Sequence, residues 1–306
     1  MIYTLTLNPA LDKTAELAEL KVGALNRLEN VRQDPGGKGI NVSKVLAELG
    51  CPSTIGGFLG TGVGSVIKQA LNRFDTDFVE VSSPSRTNLK IVQPGGTLTE
   101  LNEPGLSVDP QDVEQLLGKL AEYSGPDAVV VLSGSLAQGV PTDFYVSAAR
   151  IVHGAGGRVL LDADGPAFAQ ALAEHPDFAK PNWYELALYL GIDGPAPEPE
   201  QIAEYAEELG VPNAAVSLGG DGAVFVAENQ AWAAEALHVP VRSTVGAGDS
   251  MVAAFAYALD KHLDFPEAAV LAMACSAAAV TTEGTSAPQA KTIEELKPKV
   301  KLRRIK

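Results

Sequence analysis

Cysteine and histidine are scarce in this 306-residue sequence, and their scarcity removes two large classes of protein. Two cysteines, Cys51 and Cys275, cannot build a disulfide framework, and four scattered histidines, His153, His175, His238 and His262, give no metal-ligand spacing. Buried apolar packing is the expected role of both thiols. No run of about eighteen apolar residues is present to span a bilayer. Residues 1–8 lack a basic stretch and read as a strand, so a cytoplasmic location is expected. Basic charge is short as well: 23 Lys and Arg against 38 Asp and Glu leave a net charge of -15. That balance argues against nucleic acid and anionic membranes as partners. Internal repeats and low-complexity tracts are missing. Neither G-x-x-x-x-G-K-[ST] nor G-x-G-x-x-G occurs, so nucleotide phosphates would need another cradle than a Walker loop or a dinucleotide fingerprint.

What the sequence does contain is a globular composition, 46% apolar and 20% charged, enough chain for one large α/β domain or two. The runs at 129–132 and 158–161 read as strands buried on both faces, with a helical stretch at 141–153 between them: a parallel βαβ unit. Residues 55–59 and 214–218 fit further core strands. Helices are expected near 62–73, 110–122, 200–209, 247–260 and 266–280. Two stretches break this rhythm, 13–33 and 87–101, the second holding the turn Gln93-Pro-Gly-Gly96; they read as short strands and a hairpin. Residues 194–199, Pro-rich, read as a stiff surface loop, and the basic end 297–306 as a solvated tail against an acidic body.

The most informative segment is Thr244-Val-Gly-Ala-Gly-Asp-Ser250. Met251, Val252, Phe255, Ala256 and Leu259 follow at helical spacing, so Gly246, Ala247 and Gly248 fall at a helix N-terminus, where bare N–H groups and the helix dipole favour an anion. Asp249 beside them supplies a carboxylate. Phosphoryl transfer needs both, charge stabilisation on the moving group and a base for the attacking hydroxyl; an Asp-capped Gly-rich loop would leave the same trace. A second Gly-rich turn, Gly36-Gly37-Lys38-Gly39-Ile40-Asn41, also opens a helical pattern, with Val42, Val45, Leu46 and Leu49 on one side. Three more motifs keep them company: Asn8-Pro-Ala-Leu-Asp12, Lys180-Pro-Asn-Trp-Tyr-Glu185 and Ser217-Leu-Gly-Gly-Asp-Gly222.

Five motifs in this order resemble the ribokinase/PfkB family of carbohydrate kinases, from Asn8 to about Ser286. The runs at 36–46, 86–91 (R-T-N-L-K-I) and 100–105 (E-L-N-E-P-G) are most similar to its bacterial 1-phosphofructokinase and tagatose-6-phosphate kinase branch. The resemblance implies a single kinase domain over 1–306, a ribokinase-like three-layer α/β/α core with a mostly parallel sheet, and a small β-sheet lid from 13–33 and 87–101. It implies ATP, Mg²⁺ and a hexose phosphate as ligands, with fructose 1-phosphate phosphorylated at O6 as the expected reaction and tagatose 6-phosphate or fructose 6-phosphate as alternatives.

By the same resemblance Asp249 is the general base, and Gly246, Ala247 and Gly248 form the anion hole. Asp12, Gly37, Lys38, Asn41, Arg86, Asn88 and Ser135 bind the sugar phosphate, with Lys90 and Arg27 as further basic candidates. Lys180, Ser217, Leu218, Gly219, Gly220, Asp221 and Gly222 contact nucleotide phosphates, for which a strand end and a simple hairpin turn are the plain alternatives. Asn182 and Glu185 order Mg²⁺ through water, or else cap a helix with a partner three residues on. Related kinases also bind monovalent cations, so carbonyls near Thr244 and 283–286 are candidates for K⁺, and a homodimer through the lid is expected. A catalytically silent sugar-phosphate sensor is the reading from another class; it would need the anion pocket but not Asp249.

Overall fold

The computed structural model describes residues 1–306 apart from Gly96. Strand β1 (Ile2–Thr6) leads into β2 (Ala10–Glu16) and β3 (Glu29–Gly36), then α1 (Lys38–Glu48), β4 (Ser53–Thr61), α2 (Val63–Ala70), β5 (Asp75–Pro84), β6 (Arg86–Val92) and β7 (Leu98–Asn102). The middle of the chain carries α3 (Pro110–Glu122), β8 (Val129–Ser133), α4 (Phe144–Gly154), β9 (Arg158–Asp162), α5 (Gly165–Leu172), β10 (Phe178–Ala179), α6 (Trp183–Leu190) and α7 (Pro199–Glu207). Last come β11 (Asn213–Ser217), β12 (Ala223–Ala227), β13 (Gln230–Ala234), α8 (Ala247–Lys261), α9 (Phe265–Ala279), α10 (Ala290–Leu296) and β14 (Leu302–Arg304).

Ten strands form one sheet in the order β14-β13-β12-β11-β10-β9-β8-β1-β4-β5. Pairing is parallel from β5 through to β11 and antiparallel beyond. Alternation along β8 shows why both faces must be covered: Val130 and Leu132 pack with α3 to α7, while Val129 and Val131 pack with α1, α8, α9 and α10. The result is the three-layer α/β/α core expected from the sequence. No helix among the described residues is long and apolar enough to cross a membrane.

The basic tail departs from expectation. Arg303 and Lys306 do meet Glu200 and Glu207, yet Leu302–Arg304 also pairs with β13 and completes the sheet edge. Three residues are too short for a periodicity to show. Strands β5, β12 and β13 were not distinguished by the sequence pattern either.

The remaining four strands make a separate sheet, β3-β2-β6-β7. Its strands begin at Ala10 and Arg86 and end at Gly36 and Asn102, three residues outside the segment 13–33 at each end and one outside 87–101. The β6–β7 hairpin closes with Gln93 N–H donating to Thr97 O at 2.9 Å; Gly96, in that turn, lies outside the described residues. At β1 the chain departs to β4 on one side and β8 on the other. Such a switch point leaves a crevice at the carboxyl ends of the strands, where open α/β sheets place ligands. The small sheet lies over that crevice.

Candidate active site

Two cavities occupy the crevice. The first, about 340 Å³, is walled by strand ends of the main sheet (Thr6 to Asn8, Ser133 to Ser135, Asp164), by the start of α1 (Gly37, Lys38, Asn41) and by the small sheet. Strand alternation selects which lid residues face in. Arg86, Asn88 and Lys90 of β6 line this cavity, while Thr87 and Leu89 line a groove on the opposite face with Leu28 and Leu101. The second cavity, about 370 Å³, is mainly apolar, with Val239, Val241, Met251, Met273, Ala277 and Val280 in its walls and Ser217, Gly219, Gly220 and Gly222 at its rim.

The two cavities share the first turn of α8. Gly246 and Asp249 face the first; Ala247 and Gly248 face the second. Gly246, the residue before the helix, has φ of 83°, a left-handed conformation that glycine adopts without steric cost. A Cβ on Gly248 would sit 3.4 Å from Lys180 Nζ, which places that ammonium beside the bare amides. Gly37 is also held at positive φ, 129°, and a Cβ there would meet Thr6 Cγ2 at 2.4 Å. The tight packing of the 36–39 turn on β1 is thus one reason for its glycines, which close approach to a ligand alone had suggested.

Charge is arranged in two buried ion-pair clusters. Asp162, at the end of β9, is 1% exposed and accepts from Lys38 Nζ and Lys180 Nζ, both at 3.2 Å. Burial would raise its pKa, but Lys180 and Lys38 prevail and hold the carboxyl below its ordinary value. Lys38 is correspondingly raised: burial opposes its charge, and Asp162, Asp249 and Glu185 more than restore it. Asp12 accepts from Lys90 Nζ at 3.0 Å and from Asn88 Nδ2 at 3.1 Å. Asp162 and Asp164 were not singled out from the sequence. Their signal was position, acidic residues just past a core strand at its carboxyl end.

Asp249 differs from these carboxylates. It is buried, its Oδ2 accepts from Asn41 Nδ2 at 2.8 Å, and no cation pairs with it directly. Burial first, and the Asp162 charge second, raise its pKa, against the pull of Lys38, Asn41 and Lys180. A carboxyl raised in this way is a stronger base than an exposed one, and a cleft carboxyl so perturbed is a candidate for proton transfer.

Arg86 donates from Nη1 to Glu103 O at 3.1 Å and from Nη2 to Asn8 O at 3.2 Å, which fixes its planar group at the cavity wall. Its Nε, Asn88 Oδ1 and Asn8 Oδ1 are buried without a protein partner. Buried polar atoms are rarely left so, and all three residues line the first cavity. Ser135 lines it as well; exposed Arg27 does not.

Asn182 and Glu185 form the reciprocal cap of α6, each side chain accepting from the other's backbone N–H at 2.8 Å. They line neither cavity. The segment 217–222 is a hairpin between β11 and β12, closed by Leu218 N–H donating to Gly222 O at 2.9 Å, and it also faces the second cavity. Leu218 and Asp221 do not line that cavity. Among the described residues no three His, Cys, Asp or Glu side chains gather to cage a metal ion.

Residues 5–292 match the model of the pfkB family of carbohydrate kinases. A 1-phosphofructokinase of Rhodobacter capsulatus is 38% identical over 299 residues, covering 94% of this chain and 92% of the relative. Two solved structures of Escherichia coli phosphofructokinase-2 superpose closely. One, in complex with potassium, has a TM-score of 0.91; the other, in complex with substrates and products, has 0.92. Each is 28% identical and covers 97% of this chain and 98% of its own.

Proposed function

The chain belongs to the pfkB family of carbohydrate kinases, and from that membership we propose that it transfers the γ-phosphoryl group of ATP to O6 of D-fructose 1-phosphate, giving fructose 1,6-bisphosphate. The observation that carries this reading is the shared first turn of α8. A sugar hydroxyl in the polar cavity and a triphosphate reaching out of the apolar one would meet at Asp249 and the amides of Gly246, Ala247 and Gly248. Asp249 takes the hydroxyl proton as the oxygen attacks phosphorus. The helix amides, with Lys180 alongside, stabilise the charge on the moving group.

The cationic groups Lys38, Arg86 and Lys90 on the polar cavity give the acceptor's own phosphate a reason to be there. Asp12, Asn88 and Ser135 are left for sugar hydroxyls, while Asn41, which also lines the cavity, holds Asp249. Mg²⁺ carried on the triphosphate would supply charge neutralisation. Glu185 spends one carboxylate oxygen on the helix cap, and with Asn182 it suits outer-sphere contact to the waters such an ion keeps. For K⁺, Thr285 O, Ser286 O and Glu283 O already accept from Lys44, Thr282 and the Ser286 N–H, so the carbonyls of Thr244 and Gly284 would have to serve.

A panel of fructose 1-phosphate, tagatose 6-phosphate and fructose 6-phosphate with Mg-ATP, each in K⁺ and in tetramethylammonium salt, tests all of this by ADP release. Fructose 1-phosphate is expected to give the highest kcat/KM. Failure of all three would sink the kinase reading and favour a sensor; equal rates in both salts would remove K⁺.

We assign the whole of 1–306 to one kinase domain whose lid is the small sheet. Its outer face supports a homodimer. On that face Leu101 is 55% exposed and Val31 49%. An apolar sheet face left open in water favours pairing with a second copy, which would also bring Arg27 against the neighbour. Light scattering at micromolar concentration is expected to give a dimer, with cleavage within 13–33 slowed by fructose 1-phosphate. A monomer with unchanged cleavage would overturn the assignment.

A further inference from the structure

Lys44 lies one helical turn beyond Asn41 on α1, at the i,i+3 spacing that puts two side chains on one face. Its ammonium has three protons and meets three acceptors from three parts of the chain. These are the Pro35 carbonyl on β3, Asn41 Oδ1 at 3.3 Å, and the Thr285 carbonyl at 3.3 Å in the segment before α10. A side-chain amide is two-ended: with Oδ1 turned toward a cation, Nδ2 points the other way. Here it points to Asp249 Oδ2, at 2.8 Å. We propose that Lys44 is a positioning residue that fixes the Asn41 amide, and through it the orientation and basicity of Asp249. The proposal rests on the kinase reading above.

The chemistry follows from which end of the amide faces the base. An N–H toward the carboxylate ties down Oδ2 and leaves Oδ1 to receive the sugar proton. A flipped amide would set a carbonyl oxygen against the carboxylate, which loosens it and favours its protonated form. Lys44 prevents the flip as long as it is charged. The charged groups facing it are Asp34 and Arg32 from β3, Asp12 from β2 and Asp249 from α8; on the 283–286 segment Glu283 is engaged with Arg242 and Arg32. Burial outweighs the three carboxylates and pushes the Lys44 pKa down to about 8. Once neutral, the amine has two protons for three acceptors.

The test compares Lys44→Met and Lys44→Arg with the wild type. The Asp249 carboxyl is titrated by ¹³C NMR of Asp-labelled protein, assigned with Asp249→Asn, a readout that needs no turnover. Lys44→Met is expected to raise that pKa, to move the acid limb of the kcat profile to higher pH, and to lower kcat at pH 7 on the order of tenfold, with the sugar-phosphate KM little changed. Lys44→Arg is expected to restore kcat and, because arginine stays charged, to abolish the fall in kcat expected of the wild type above about pH 8. A purely structural lysine would lower the melting temperature without moving the Asp249 titration, and that result overturns the proposal. If Lys44→Met does not fold, the alkaline limb decides: its absence in the wild type, or its persistence in Lys44→Arg, refutes the role. A Lys44-dependent titration in a protein that turns over no sugar phosphate would retain the contact and sink only the kinase reading.

Discussion

Asp249→Asn is expected to lower kcat by on the order of 10² or more, the usual scale for losing a general base, while the affinity for ATP stays near that of the wild type. Asparagine keeps the shape of the side chain and an oxygen for the Asn41 N–H, so binding contacts survive and only proton removal is lost. The same substitution is expected to raise the melting temperature. Asp249 has its pKa raised on folding, by burial and by Asp162. A carboxyl whose folded pKa exceeds its unfolded one makes stability fall as pH rises from the unfolded value through the folded one. Removing the charge returns it. A large loss of kcat with a gain in melting temperature is the signature of a strained catalytic group. Near-normal kcat in the variant would mean that the base is elsewhere.

Arg86→Ala is expected to raise the sugar-phosphate KM by roughly 10- to 100-fold, the range set by losing a charge-assisted, two-pronged contact, with the ATP KM within about twofold of the wild type. Arg86 also donates to the Asn8 and Glu103 carbonyls, so a structural role is the competing account. Damage to the wall of the polar cavity would reach the base and depress kcat with both substrates. Parallel losses for ATP and sugar phosphate would therefore decide against phosphate recognition. Arg86→Lys separates charge from shape: it keeps the cation but lacks the planar fork, and should recover only part of the loss.

The core layers were legible because β8 and β9 are continuous apolar runs buried on both faces, and because α3, α8 and α9 carry long helical periods. The turn proposed as the anion hole was legible for a similar reason: the glycines that open the first turn of α8 are written in the chain. Asp162 was not. Its partners, Lys38 and Lys180, lie far away in sequence, and an acidic residue after a strand looks like any turn until the sheet brings them together. Lys44 was hidden by its partners, since two of its three acceptors are backbone carbonyls, which no side-chain motif encodes. Asn182 and Glu185 were legible as a spacing whose two meanings, cap and metal-water ligand, leave the same letters.

Strand β6 divides its residues between two surfaces, Arg86, Asn88 and Lys90 toward the polar cavity and Thr87 and Leu89 away from it. Its parallel pairing with β2 holds Asp12 opposite Asn88. A deletion of one residue ahead of Asn88 would carry Leu89 into the cavity and turn Lys90 outward, exchanging the two surfaces in one step. Removing two residues would preserve the alternation and shift it along by one pair. The length of this strand can therefore change only in even steps without turning a cation-lined wall into an apolar one.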